Sequence, residues 1–164
     1  MSQYLYAFMS SLGFGILFNV RGKDLFFASL GGGIGWFVYT KILTITSSEV
    51  IALFIGTISL SIHSEICARI FKNPVTLYLI CALIPLVPGS GMYYTIFEAV
   101  KGDYNASLTK GIQTLFNAGS IAVAAMFVST VSRVITALSV KNKRRKSLKK
   151  LWLNSSHSFF LILN

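Results

Sequence analysis

The chain has 164 residues, of which 54% are hydrophobic and only 12% are charged, and its mean hydropathy is +0.67. This composition excludes a water-soluble domain of this length, because too few polar residues remain to cover its surface. The formal net charge is +10, and seven lysines and arginines lie within residues 141–150. A basic run directly after a spanning helix favours an anchor on anionic lipid and argues against nucleic acid as a partner.

The sequence predicts an all-α integral membrane protein with about five transmembrane helices, since a bilayer core needs roughly 20 apolar residues per helix. In chain order, the predicted spans cover residues 4–20, 25–43, 49–71, 75–100 and 106–140. The membrane domain therefore occupies residues 1–140, and residues 141–164 form a basic and apolar tail. The second span contains Gly31, Gly32, Gly33 and Gly35, small residues that let helices approach closely.

The distribution of basic residues predicts the orientation of these spans. Arg21 and Lys23 follow the first span, Arg69 and Lys72 follow the third, and the basic tail follows the fifth. With five spans these segments share one side of the membrane, which the positive-inside rule makes the cytoplasmic side. We therefore expect a multi-pass protein of the cell membrane, with its N-terminus outside and its C-terminus in the cytoplasm.

A Pro-x-x-Pro-Gly motif interrupts the fourth span at residues 85–89. Proline cannot continue the helical hydrogen bonds, and a broken helix survives in a membrane only where protein or a water-filled cavity satisfies the freed backbone groups. Such breaks build substrate sites in transporters, although a plain loop between two short helices is the alternative. The predicted solute-binding residues at the break are Pro85, Pro88, Gly89, Ser90, Gly91, Tyr93 and Tyr94.

Polar residues also form a stripe along the fifth span. At helical spacing, Thr109, Gln113, Asn117, Ser120 and Ala124 fall on one face. Amide side chains in hydrocarbon seek partners, either another helix or a solute. Both interpretations stay open, and on the second of them Gln113 and Asn117 join the predicted solute site.

The third span holds two ionisable residues, Glu65 and His63, which are candidates for proton coupling. Glu65 could instead form a structural pair with Arg69, four residues further on. His63 could equally be a satisfied polar residue in a packed helix. We find no nucleophile–base pair and no metal-ligand cluster, so the sequence predicts no catalytic residue, no metal, no cofactor and no enzymatic activity.

The order of these landmarks resembles the small membrane subunit of the threonine/serine exporter family, which corresponds to the C-terminal membrane half of its single-chain exporters. The resemblance covers about residues 4–135. Its most specific element is the segment Ile-Pro-Leu-Val-Pro-Gly-Ser-Gly-Met-Tyr-Tyr-Thr at 84–95. The segments Gly-Phe-Gly-Ile-Leu-Phe-Asn-Val at 13–20 and Ala-Arg-Ile-Phe-Lys-Asn-Pro at 68–74 precede it in the expected order. The tail beyond Val140 departs from the family pattern.

The resemblance implies a membrane subunit of a secondary exporter of small polar metabolites, either threonine/serine-type amino acids or dicarboxylates. In the family this half works with a larger subunit, so we expect that partner or a homo-oligomer, besides membrane lipid and the solute itself. The Gly-rich surface of the second span and the amide stripe of the fifth agree with a protein partner. The alternative is a structural or assembly subunit of the membrane complex with no solute path of its own.

Overall fold

The computed structural model describes the backbone of residues 2–162 and the side chains of residues 3–138. Throughout the described backbone the chain is helical and contains no strand, which confirms the all-α prediction. The helices are α1 (Ser2–Leu17), α2 (Lys23–Thr46), α3 (Glu49–Phe71), α4 (Val75–Leu83), a 3-10 turn (Ile84–Leu86), α5 (Gly89–Lys101) and α6 (Tyr104–Ile162).

Three helical segments of the described residues are long and apolar enough to cross a membrane, namely Lys23–Thr46, Glu49–Phe71 and Tyr104–Leu138. A bent pair, Val75–Leu86 and Gly89–Lys101, brings the number to four if it forms one span. The 16 residues of α1 rise only about 24 Å at 1.5 Å per residue, less than the ~30 Å hydrocarbon core. The five-span count therefore stays a prediction.

Close contacts between small residues hold α1, α2 and α3 together. A Cβ built on Gly32 of α2 would collide with the Ser11 hydroxyl of α1, and Ser11 is fully buried. On α3, a Cβ built on Gly56 would lie 3.2 Å from the carbonyl oxygen of Gly35. The glycines of α2 thus serve the close helix packing that the sequence predicts for them.

A polar network ties the start of α2 to α4. The buried Tyr78 hydroxyl donates to Asp24 Oδ1 at 2.5 Å, and Asn73 Nδ2 donates to Asp24 Oδ2 at 2.8 Å. Both oxygens of the Asp24 carboxylate therefore accept a hydrogen bond. One donor, Tyr78, lies in α4, and the other, Asn73, lies between α3 and α4. These residues lie about 50 positions apart in the sequence, with separations of 54 and 49.

The helix pair α4 and α5 bends by 49° where the two prolines stand. Pro85 lies in the 3-10 turn and Pro88 directly precedes α5, so neither position offers a backbone donor. The N–H of Val87 reaches the carbonyls of both Leu83 and Ile84, at 3.2 and 3.3 Å. The chain thereby leaves the α4 direction and resumes as α5 at Gly89.

α5 then packs against the first turns of α6. Gly91 leaves room for Thr114, whose side chain would collide with a Cβ at that position. Further along the pair, the Ser107 hydroxyl donates to the Thr95 carbonyl at 2.8 Å. Asp103 caps α6, because its Oδ1 accepts the N–H of Ala106 at 3.0 Å.

The chain divides into two compact units, Met1–Ser129 and Thr130–Asn164. The contacts described above all lie in the first unit. The second is helical as far as Ile162. The side chains of the basic tail lie outside the described residues, so the predicted boundary after residue 140, the lipid anchor and the cytoplasmic placement of the tail stay predictions.

Candidate functional site

A cavity of about 360 Å³ lies where the break between α4 and α5 faces α2, the start of α3 and the first turns of α6. This volume falls at the small end of the roughly 300–1,000 Å³ that is usual for small-molecule sites. Seven of the predicted solute-binding residues line it: Pro85, Pro88, Ser90, Gly91, Tyr94, Gln113 and Asn117. The folding of the chain thus brings two distant segments, residues 85–94 and 113–117, to one place.

Glu49, the first residue of α3, contributes the carboxylate of this cavity. Its Oε2 accepts hydrogen bonds from Asn117 Nδ2 at 3.0 Å and from Gln113 Nε2 at 3.2 Å. One turn further along α6, the Ser120 hydroxyl donates to the Val50 carbonyl at 2.7 Å. Three members of the polar stripe on α6 therefore hold the first turn of α3.

Two buried polar atoms of residues that line the cavity have no partner among the described residues. They are Asn117 Oδ1 and Trp36 Nε1. A carboxylate only accepts hydrogen bonds, so the amide nitrogen of Asn117 must face Glu49 and its oxygen must stay free. Asn117 is only 6% exposed, so this oxygen lacks bulk water as an alternative donor. Each of the two atoms has less than 1 Å² of accessible surface, so a solute in the cavity does not reach either of them in this arrangement.

The lining also contains positive groups. Lys110 of α6 lines the cavity and, among the contacts of the described side chains, forms no ion pair with Glu49. Ser90 and Gly91 lie in the first turn of α5, where backbone N–H groups have no helical acceptor and carry the positive end of the helix dipole. The cavity therefore presents both negative and positive groups, and Glu49 and Lys110 are the charged residues in its lining.

Trp36 and Pro85 also line a second cavity of about 310 Å³. The remaining lining of that cavity comes from α1, at Gln3, Tyr6, Ala7 and Ser10. The two cavities therefore share the indole of Trp36 and the first proline of the break as common lining.

Four predicted residues lie outside the lining of the main cavity, two of them at the break. The amide of Gly89 donates back to the Val87 carbonyl at 2.7 Å, and Tyr93 stacks on Phe97 with ring centroids 5.8 Å apart. Tyr93 is 61% exposed, so its ring lies on the outer surface of α5. Of the two neighbouring tyrosines, only Tyr94 lines the cavity.

The other two are the proton-coupling candidates of α3. His63 Nε2 lies 3.0 Å from the Phe27 carbonyl of α2, with Cys67 Sγ at 3.4 Å. Glu65 faces Arg69 across one helical turn, with 3.9 Å between its Oε2 and the arginine Nε. Both side chains have partners that account for a structural role, and proton coupling by either stays a prediction.

The sequence interpretation missed Glu49, Lys110, Trp36, Tyr39 and Thr114, which also line the cavity. Helical spacing could have identified two of them, because Lys110 lies three positions before Gln113, and Thr114 lies three positions before Asn117. Glu49 carried no such signal. It stood at the predicted boundary of a span, where a charged residue is ordinary.

A helical protein with several membrane-length apolar helices and a polar cavity at a proline-broken pair has the features of a membrane transport protein. Comparison with protein families matches residues 3–131 to "Threonine/Serine exporter, ThrE". The match covers well over half of the chain, so the chain belongs to the threonine/serine exporter family. Comparison with curated proteins and with solved structures gave no match. The family is one of transporters, which gives the chain a membrane location and an exporter-type function.

Proposed function

We propose that this chain is the membrane subunit of a secondary exporter of small polar metabolites, of the threonine/serine or dicarboxylate type, and that it works with a larger partner subunit. The observation that carries the proposal is the cavity at the break. It combines a carboxylate, a lysine and the first turn of α5 in a space suited to a small solute.

A structural or assembly subunit is the second candidate function, and the amide stripe of α6 favours it. Gln113, Asn117 and Ser120 all bind the first turn of α3, as interhelical contacts would. Packing contacts alone, however, would leave no reason for a cavity of about 360 Å³ with a carboxylate and a lysine in its lining, because protein interiors are close-packed. We therefore favour the solute path.

The proposed partner has a surface available to it on α5. None of the residues of this helix is buried within the chain. Large apolar side chains such as Met92, Ile96 and Val100 are more than half exposed, at 56%, 65% and 82%. Lipid can cover such a face, and so can the larger subunit or a second copy of this chain. With the N-terminus outside, the end of α3 that holds Glu49 faces the exterior.

Filling the cavity should stop export. In Ser90→Trp the indole enters the cavity from the first turn of α5, whereas in Met92→Trp the same group lies on the exposed face of the same helix. We expect Ser90→Trp to abolish efflux of preloaded labelled threonine, serine or succinate, and Met92→Trp to retain most of it. The assay uses cells that express equal membrane levels of each variant together with the larger subunit.

Equal efflux from the two variants at equal membrane levels would contradict the solute path and move the structural subunit ahead. A loss of the complex from the membrane with Ser90→Trp alone would have the same consequence, because it would show that the cavity surface serves assembly.

A further inference from the structure

We propose that Glu49, held by Asn117 and Gln113, is the residue that selects solutes carrying a cationic group, so that the cavity accepts amino-acid zwitterions and disfavours dicarboxylates. This inference rests on the proposed export function and assigns the substrate class of the same cavity. It concerns a residue outside the break.

The first step is the surroundings of the Glu49 carboxylate. Its Oε2 already accepts two amide N–H groups, from Asn117 and Gln113, which fix the orientation of the carboxylate. An ammonium group has three donors and no acceptor, so it matches a carboxylate that is already held in one orientation.

The second step is the other charged part of the lining. Lys110 and the first-turn amides of Ser90 and Gly91 supply positive charge and N–H groups. A carboxylate accepts hydrogen bonds from all of these and is favoured at a helix N-terminus. The cavity therefore has a place for each end of an α-amino acid.

The third step is the charge balance. The lining holds one carboxylate, Glu49, and one ammonium, Lys110, and a zwitterion adds no net charge to them. A dicarboxylate would bring its second negative charge towards Glu49, where no cation of the lining remains to pair with it. Repulsion of this kind discriminates between solutes even when both fit by size.

The test is the ratio of threonine efflux to succinate efflux, measured in parallel from cells that express the full chain with its larger subunit. Because both solutes pass through the same protein, the ratio does not depend on how much of a variant reaches the membrane. Glu49→Gln keeps the acceptor for Asn117 and Gln113 but removes the charge. We expect it to lower the ratio by about tenfold or more, the effect of losing one charge-assisted contact.

Two control variants define the result. Glu98→Gln removes a carboxylate of α5 that lies outside the cavity lining, and the ratio should stay at the wild-type value. Lys110→Gln should lower the efflux of both solutes, because each carries a carboxylate.

An unchanged ratio of threonine efflux to succinate efflux with Glu49→Gln would overturn the inference while leaving the export function intact. Preference of the wild-type chain for succinate would do the same. Efflux of neither solute would instead overturn the proposed function and the inference with it.

Discussion

Asp24→Ala is expected to destabilise the folded protein by about 3 kcal/mol. The substitution removes the acceptor of the Tyr78 hydroxyl, which is fully buried, and of the Asn73 amide. The Tyr78 hydroxyl would remain in the packed region between α2 and α4 without water to replace the carboxylate. The midpoint of thermal unfolding in detergent should fall by roughly 10 °C.

Asp103→Ala is the matched control, because Asp103 also places a carboxylate at the start of a helix. Its single bond to the Ala106 amide is exposed, so we expect a loss of only about 1 kcal/mol. The double variant Asp24→Ala/Tyr78→Phe should lose less free energy of unfolding than the two single variants lose together, because no buried hydroxyl is then left unpaired. Equal midpoints of thermal unfolding for Asp24→Ala and Asp103→Ala would contradict the stabilising role of the hydrogen-bond network around Asp24.

Pro85→Ala/Pro88→Ala is expected to abolish export while the protein still inserts. Each alanine restores a backbone donor and removes a residue that costs about 3 kcal/mol in a helix interior. The pair α4 and α5 would then form one continuous helix without the 49° bend. The first turn of α5, with Ser90 and Gly91, would leave the cavity, and its backbone N–H groups would find acceptors within the helix.

The remaining proline of the chain, Pro74, gives the control. Pro74 precedes α4 and lies outside the cavity lining, so Pro74→Ala should leave efflux of labelled threonine close to the wild-type level. Efflux and membrane level are measured together for each variant. Full efflux from the double proline variant would show that the break is only a loop between two helices.

Local patterns in the sequence were sufficient to predict where most of the helices lie. The predicted third span coincides with α3, and the predicted second span at 25–43 lies within α2 (Lys23–Thr46). Apolar length and the position of proline determine such segments, and both are local properties. For α1, by contrast, the apolar segment is shorter as a helix than the span predicted from it, which leaves the span count open.

The sequence could predict only those residues of the candidate site that are unusual within their own segment. Pro85, Pro88 and Gly91 are unusual within an apolar segment, whereas Glu49 is an ordinary residue at a helix boundary. Its role depends on the pairing of α3 with α6, over separations of 64 and 68 residues, which no helical period encodes. The carboxylate that the sequence did highlight, Glu65, instead lies beside Arg69 on its own helix.

The two carboxylates at the starts of α2 and α3 differ in the way that matters for function. Both oxygens of Asp24 are hydrogen-bonded to residues of the fold, and Asp24 does not line the main cavity. Glu49 is also held by amide groups, but it lines the cavity. We therefore expect a substitution of Asp24 to affect stability, and we propose that a substitution of Glu49 affects solute binding.

Protection of a cysteine at position 90 from a thiol reagent tests the central claim, that the cavity at the break binds the exported solute. The native thiols, Cys67 and Cys81, are buried, so labelling of membranes that hold the Ser90→Cys variant and the larger subunit reports on the introduced thiol. We expect threonine and serine to slow this labelling in a concentration-dependent manner, succinate to slow it much less, and labelling of Met92→Cys to stay unchanged. Labelling of Ser90→Cys at the same rate with and without each of the three solutes would contradict the account.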